Sequence, residues 1–185
     1  MITIAITGHL PDTFLISHYS HEEIKRRIND VVAIFKREHG NELCFNLGGA
    51  QGADTWAAQA CMDHNVKFHM FLPFSPEVHY KYWEEDQIVG FKAQLARASG
   101  IDILDPSGSN KESRHKLYAL RDRKMVDCAS FVVAFWVGKK AGGTYNCMDY
   151  ALNQSKFVFN ALNELKPVFK VDLQNGWTPD RENNA

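Results

Sequence analysis

Three short stretches combine glycine with residues that could hold an anion: Thr7-Gly8-His9, Gly48-Gly49-Ala50-Gln51-Gly52 with Asp54 just beyond, and Ala141-Gly142-Gly143-Thr144. Glycine leaves backbone N–H groups open to close approach and permits backbone angles that other residues avoid. The second and third stretches lead into helical patterns, so the positive end of a helix dipole would add to the backbone donors. A phosphate or carboxylate fits such a cradle. The Thr144 hydroxyl can cap its helix or bond the ligand, and His9 either serves the mouth of the expected pocket or is hydrogen-bonded within its own turn. Glycines at strand-to-helix turns also serve tight connections alone. Three such loops on one sheet edge favour a ligand site.

Other chemistries find less support. No stretch matches GxGxxG or GxxxxGK[ST], so neither a standard dinucleotide fingerprint nor a P-loop is present, and no cofactor is expected. The pairs His18/His21 and His64/His69 match no zinc spacing and stand apart from the cysteines, so no metal site is expected. No serine occupies a GxSxG turn. The run Arg121-Asp122-Arg123-Lys124 reads first as a solvated helix face. Trp56 reads as core on its helix, with Tyr82 a further aromatic; for Trp83 and Trp136, stacking on a ligand base and core packing both stay open.

These loops need a scaffold, and the pattern supplies one. Short β-branched or aromatic runs at 2–6 (ITIAI), 43–47 (LCFNL), 66–72 (VKFHMFL), 101–104 (IDIL), 131–136 (FVVAFW) and 157–162 (FVFNAL) read as strands. Between them lie helical patterns, the first opened by a Ser20-x-x-Glu23 capping box and carrying Ile24, Ile28, Val31, Val32 and Phe35 at helical spacing. The others are expected near 54–64, 80–98, 112–129 and 144–154, with a loop at 105–110. Strands alternating with helices predict an α/β fold: a Rossmann-like three-layer sandwich with a mainly parallel sheet flanked by helices.

The 185 residues and 45% hydrophobic content suit one domain, expected over 1–171, with a polar tail at 172–185. Twenty-one Lys and Arg against 22 Asp and Glu give no general basic field, which argues against nucleic acid as a partner and makes any anion site local. Four scattered cysteines and no apolar run near the roughly 20 residues of a membrane span predict a reduced, cytoplasmic protein without a membrane partner.

Several motifs carry a resemblance. TGHLP (7–11), LGGAQGADTWAA (47–58), PF (73–74) with Trp83 downstream, RDRKMVDCA (121–129) and GGTYNCMDYA (142–151) resemble the YpsA-like branch of the SLOG superfamily. That superfamily comprises Rossmann-like proteins related to DprA/Smf and to the LOG phosphoribohydrolases. The likeness spans about residues 1–160. It implies a nucleotide or nucleotide-derived ligand, sensed or sequestered, with Gly8, Gly49, Gly52, Gly143 and Thr144 beside its phosphate or ribose. An arginine of the 112–129 helix, Arg121 or Arg123, would lie near the pocket, Asn146 could hydrogen-bond the ligand, and Asp54 could receive a ribose hydroxyl or cap its own helix. A homodimer or higher homo-oligomer is also implied.

The sequence departs from the pattern at two places. Leu10 stands where relatives often have arginine, and Tyr145-Asn146-Cys147 follows Thr144 where the hydrolases carry a glutamate. Asn146 cannot act as a carboxylate base. An alternative reading, a nucleoside monophosphate N-glycosidase, would need Asp54 or Asp149 in place of that glutamate.

Overall fold

The computed structural model describes residues 1–107, 111–162 and 164–175, without the side chains of 111–113 and 175. Its elements are β1 (Ile2–Gly8), α1 (Pro11–Ile16), α2 (His21–His39), β2 (Leu43–Leu47), α3 (Ala53–Asp63), β3 (Lys67–Phe74), α4 (Pro76–His79), α5 (Glu85–Arg97), β4 (Gly100–Asp105), α6 (Lys111–Asp127), β5 (Phe131–Phe135), α7 (Gly143–Asn153), β6 (Val158–Asn160), β7 (Lys166–Pro167) and α8 (Lys170–Asn175). The seven strands form one sheet in the order β4-β3-β2-β1-β5-β6-β7. All neighbours are parallel except β6 and β7. This is the expected Rossmann-like three-layer sandwich.

Alternation along the strands divides the core between two layers, because successive strand side chains point to opposite faces. Ile4, Ile6, Val133 and Phe135 meet α2 and α3 through Ile24, Ile28, Val32, Ala57 and Cys61. Ala5, Val132 and Ala134 meet α6 and α7 through Met125, Val126, Cys147 and Met148. α2 starts where its capping box predicts: the Ser20 side chain accepts from the Glu23 N–H at 3.2 Å.

The expected helix at 80–98 is corrected to Glu85–Arg97, with the short α4 lying just before the expected range. Ser75-Pro76 opens α4, which stops at His79, and a capping box between Glu84 and Gln87 starts α5 afresh. The six-residue α1 and two-residue β7 add to the expected elements. α8 runs across position 172, with Leu173 buried in the second core. Residues 108–110 of the expected loop and 176–185 of the expected tail lie outside the described residues. Among the described residues no helix is long and apolar enough to cross a membrane.

Candidate functional site

β1 sits between β2 and β5, so the chain leaves it toward one side of the sheet and returns later on the other. Ligands of open α/β sheets bind in the crevice beyond the carboxyl ends of strands at such a switch point. A cavity of about 560 Å³ opens there. Of the residues singled out in the sequence, Thr7, Gly8, His9, Ala50, Gln51, Asp54, Trp83, Arg121, Gly142, Gly143 and Thr144 line it.

The remainder stand behind or outside that wall. Gly48 lies under Arg121, whose guanidinium fills the place a side chain would take. Gly49 packs toward Leu72, Met70 and Phe91, and its carbonyl accepts from His79 Nε2 at 2.8 Å. Gly52 faces a neighbouring groove. Asn146 is exposed on α7, away from the cavity. Asp149, on the same helix, accepts from the Asn153 amide at 3.1 Å and does not reach the cavity either.

Asp54 does not cap α3, whose N-cap position is Gly52. Its carboxylate turns back on the glycine loop, Oδ1 accepting from the Gly48 N–H at 3.1 Å and Oδ2 from the Ala50 N–H at 3.2 Å. Oδ2 also lies 3.6 Å from Arg121 Nη1. The aspartate therefore fixes the loop rather than capping α3, and a buried acceptor with two amide donors is a strong brace. Arg121 is itself buried, with Nε 2.9 Å from Asp122 Oδ1 and its guanidinium over the Tyr118 ring. Two carboxyls thus share one guanidinium. Burial pushes the Asp54 carboxyl up, against the pull of Arg121, and pushes Asp122 up from the usual 3.8 to about 6.

His9 is set by its partners. Its Nε2 accepts from the Val137 N–H at 3.3 Å, so the ring is neutral with its proton on Nδ1, which donates to Thr144 Oγ1 at 3.4 Å. Burial, reinforced by Lys139, lowers its pKa from 6.5 to about 4. Thr144 Oγ1 is then an acceptor toward His9, and its own proton points away from that bond. His79 is fixed likewise: Nε2 donates to the Gly49 carbonyl, and burial lowers its pKa to about 4. Its Nδ1 lone pair is buried without a partner among the described residues.

Among the residues that the cavity brings in, sequence reasoning did not assign His79, His115, Tyr118, Asp122 or Lys139 to the site. A signal existed for three of them. His115, Tyr118, Asp122 and Met125 recur with Arg121 at intervals of three and four, which is one face of α6. That face meets the cavity, while Arg123 lies over the Tyr150 ring. Of the aromatics, Trp83 lines the cavity, Trp136 is wholly buried in the second core, and Tyr82 is exposed.

No protein-family model matches the chain, and no curated protein matches it. Solved structures do. The DNA processing protein A (DprA) of Streptococcus pneumoniae superposes with a TM-score of 0.58 at 16% identity, over 86% of this chain and 50% of that one. The Helicobacter pylori DprA, described for its single-stranded DNA binding mode, gives 0.55 at 18% identity, over 89% and 68%. TM1055, a structural genomics target, gives 0.50 at 12% identity, over 85% and 72%. The chain spans half the length of the pneumococcal protein. One expectation is corrected by this likeness: balanced charge is no ground for setting nucleic acid aside, because a protein of the same fold binds single-stranded DNA. The chain carries the Rossmann-like fold of the DprA proteins and TM1055.

Proposed function

We propose that the chain binds a nucleotide or nucleotide-derived small molecule at the carboxyl edge of its sheet, as a sensor or sequestering protein of the YpsA-like kind. The observation that carries this reading is the His9–Thr144 pair at the amino end of α7. It leaves a hydroxyl proton beside Gly142-Gly143, where helix amides and dipole favour a phosphate. Trp83, Tyr118 and His79 supply flat surfaces and an acceptor for a base. Calorimetric titration with adenosine monophosphate, ADP-ribose and cyclic nucleotides tests it. Thr144→Val keeps the shape but removes the donor, and should weaken binding about tenfold, the worth of one hydrogen bond to a charged group. No binding by any of these compounds would overturn the reading.

A second reading, hydrolysis of an N-glycosidic bond, is favoured by one observation. Asp122 is a carboxyl in the cavity that titrates near 6, as a general acid or base requires. It takes the role first given to Asp54 and Asp149, of which one braces a loop and the other lies outside. Chromatography for free base is the check. Release from a nucleoside monophosphate, lost in Asp122→Asn with binding kept, supports hydrolysis; intact nucleotide after prolonged incubation rules it out.

A further inference from the structure

Beside the main cavity, sharing Gln51 and Trp83 with it, a second groove of about 390 Å³ runs between α3 and α5. Two features of its α5 wall have no explanation within the fold. Gly90 stands in the interior of that helix, where glycine is a poor helix former. A Cβ built on it would meet nothing within 4 Å, so packing does not call for a glycine there. One turn on, Gln94 is only 6% exposed; its Nε2 donates to the Thr55 carbonyl at 3.0 Å. Its Oε1 is buried without a partner among the described residues. A buried acceptor left unpaired is costly, and a donor from a ligand would satisfy it.

The other walls indicate what that ligand carries. Trp56, Trp83 and Phe91 line the groove, and Lys25 is its one charged lining residue among those described. A flat ring bearing an exocyclic amine suits the aromatic walls, the space left at Gly90 and the free oxygen of Gln94. We propose that this groove receives the second, amine-bearing base of a ligand whose first nucleotide fills the main cavity, the two bases being joined through phosphate. The linker crosses at Gln51 and Trp83, where Gln51 Nε2 donates to Gln87 Oε1 at 2.6 Å and holds the glycine loop against α5. This inference rests on the reading of the main cavity as a nucleotide site.

Calorimetry on the full chain separates the two. A 5′,5′-pyrophosphate-linked diadenosine should bind at least tenfold more tightly than adenosine monophosphate. The corresponding gain of a linked diuridine over uridine monophosphate should be smaller, since uracil has no exocyclic amine. Gly90→Leu fills the groove and should abolish the gain while leaving adenosine monophosphate binding intact. Gly90→Ala, a single methyl in a helix, should reduce the gain without loss of thermal stability, and serves where the leucine variant folds poorly. A phosphorylated deoxyadenylate dinucleotide is the third arm: tighter binding than the linked diadenosine assigns the chemistry to a nucleic-acid strand, weaker binding to a free dinucleotide. Adenosine monophosphate binding without any gain for a linked ligand, or a gain untouched by both Gly90 variants, overturns the groove. Absence of all mononucleotide binding overturns the main cavity and the groove with it.

Discussion

Within the cavity floor, Asp54 and Asp122 face the single guanidinium of Arg121, and the two histidines nearby are held neutral. These groups pull stability in opposite directions as pH changes. Asp122 has its pKa raised from 3.8 to about 6, so its contribution is present below pH 3.8 and lost as pH rises through about 6. His9 and His79 are lowered from 6.5 to about 4; their contribution is present above pH 6.5 and lost as pH falls through about 4. Removing the carboxyl should therefore leave the histidines less opposed. Asp122→Asn is expected to make the rise of stability between pH 4 and 6 steeper than in the wild type, by up to about 3 kcal/mol across the window, the worth of two pKa units. Thermal melts at four pH values check this, and parallel profiles would contradict it. Phosphate-containing ligands should also bind more weakly to the wild type as Asp122 ionises above pH 6, a trend absent from Asp122→Asn.

The loops hold these groups through positions where the backbone and its neighbours leave no alternative. Gly52 has φ of +92°, and a Cβ there would come 2.6 Å from the His9 carbonyl, which itself accepts from the Ala53 N–H at 3.4 Å. Gly142 has φ of +94° but open space around it. Gly52→Ala should cost about 2–4 kcal/mol, angle and collision together, whereas Gly142→Ala should cost only about 1 kcal/mol. Urea unfolding of both variants tests the contrast, and equal losses would mean that the collision relaxes. Such loops were legible in the sequence because glycine, apolar runs and helix caps are local signals, and LCFNL became β2 residue for residue. What was not legible came from distance or brevity. Asp54 bonds Gly48 and Ala50 in the loop before its helix, yet its ion-pair partner Arg121 is 67 positions away, and no local pattern joins them. His79 ends the one-turn α4 and reaches Gly49 from 30 positions away, and six residues such as α1 hold too few periodic positions to show a face.

Across the whole molecule, the cavity is walled by both helical layers: Ala50, Gln51 and Asp54 come from the α3 side, Arg121 and Thr144 from α6 and α7. The sheet joins those layers through β2, β1 and β5, whose ends carry the loops. A ligand there touches parts of both cores, so its binding free energy should add to the stability of the whole fold rather than of one loop. For a ligand at one hundred times its Kd the gain is about 2.7 kcal/mol. In a domain of this size each kcal/mol moves Tm by roughly 2–4 °C, so a shift of about 5–11 °C is expected. The transition should stay single, because α3 and α7 lose their shared ligand together. Differential scanning calorimetry with adenosine monophosphate at rising concentration measures both features. A second, unshifted transition would show that one helical layer unfolds independently of the site, and Thr144→Val at the same ligand concentration should shift less than the wild type because its Kd is higher.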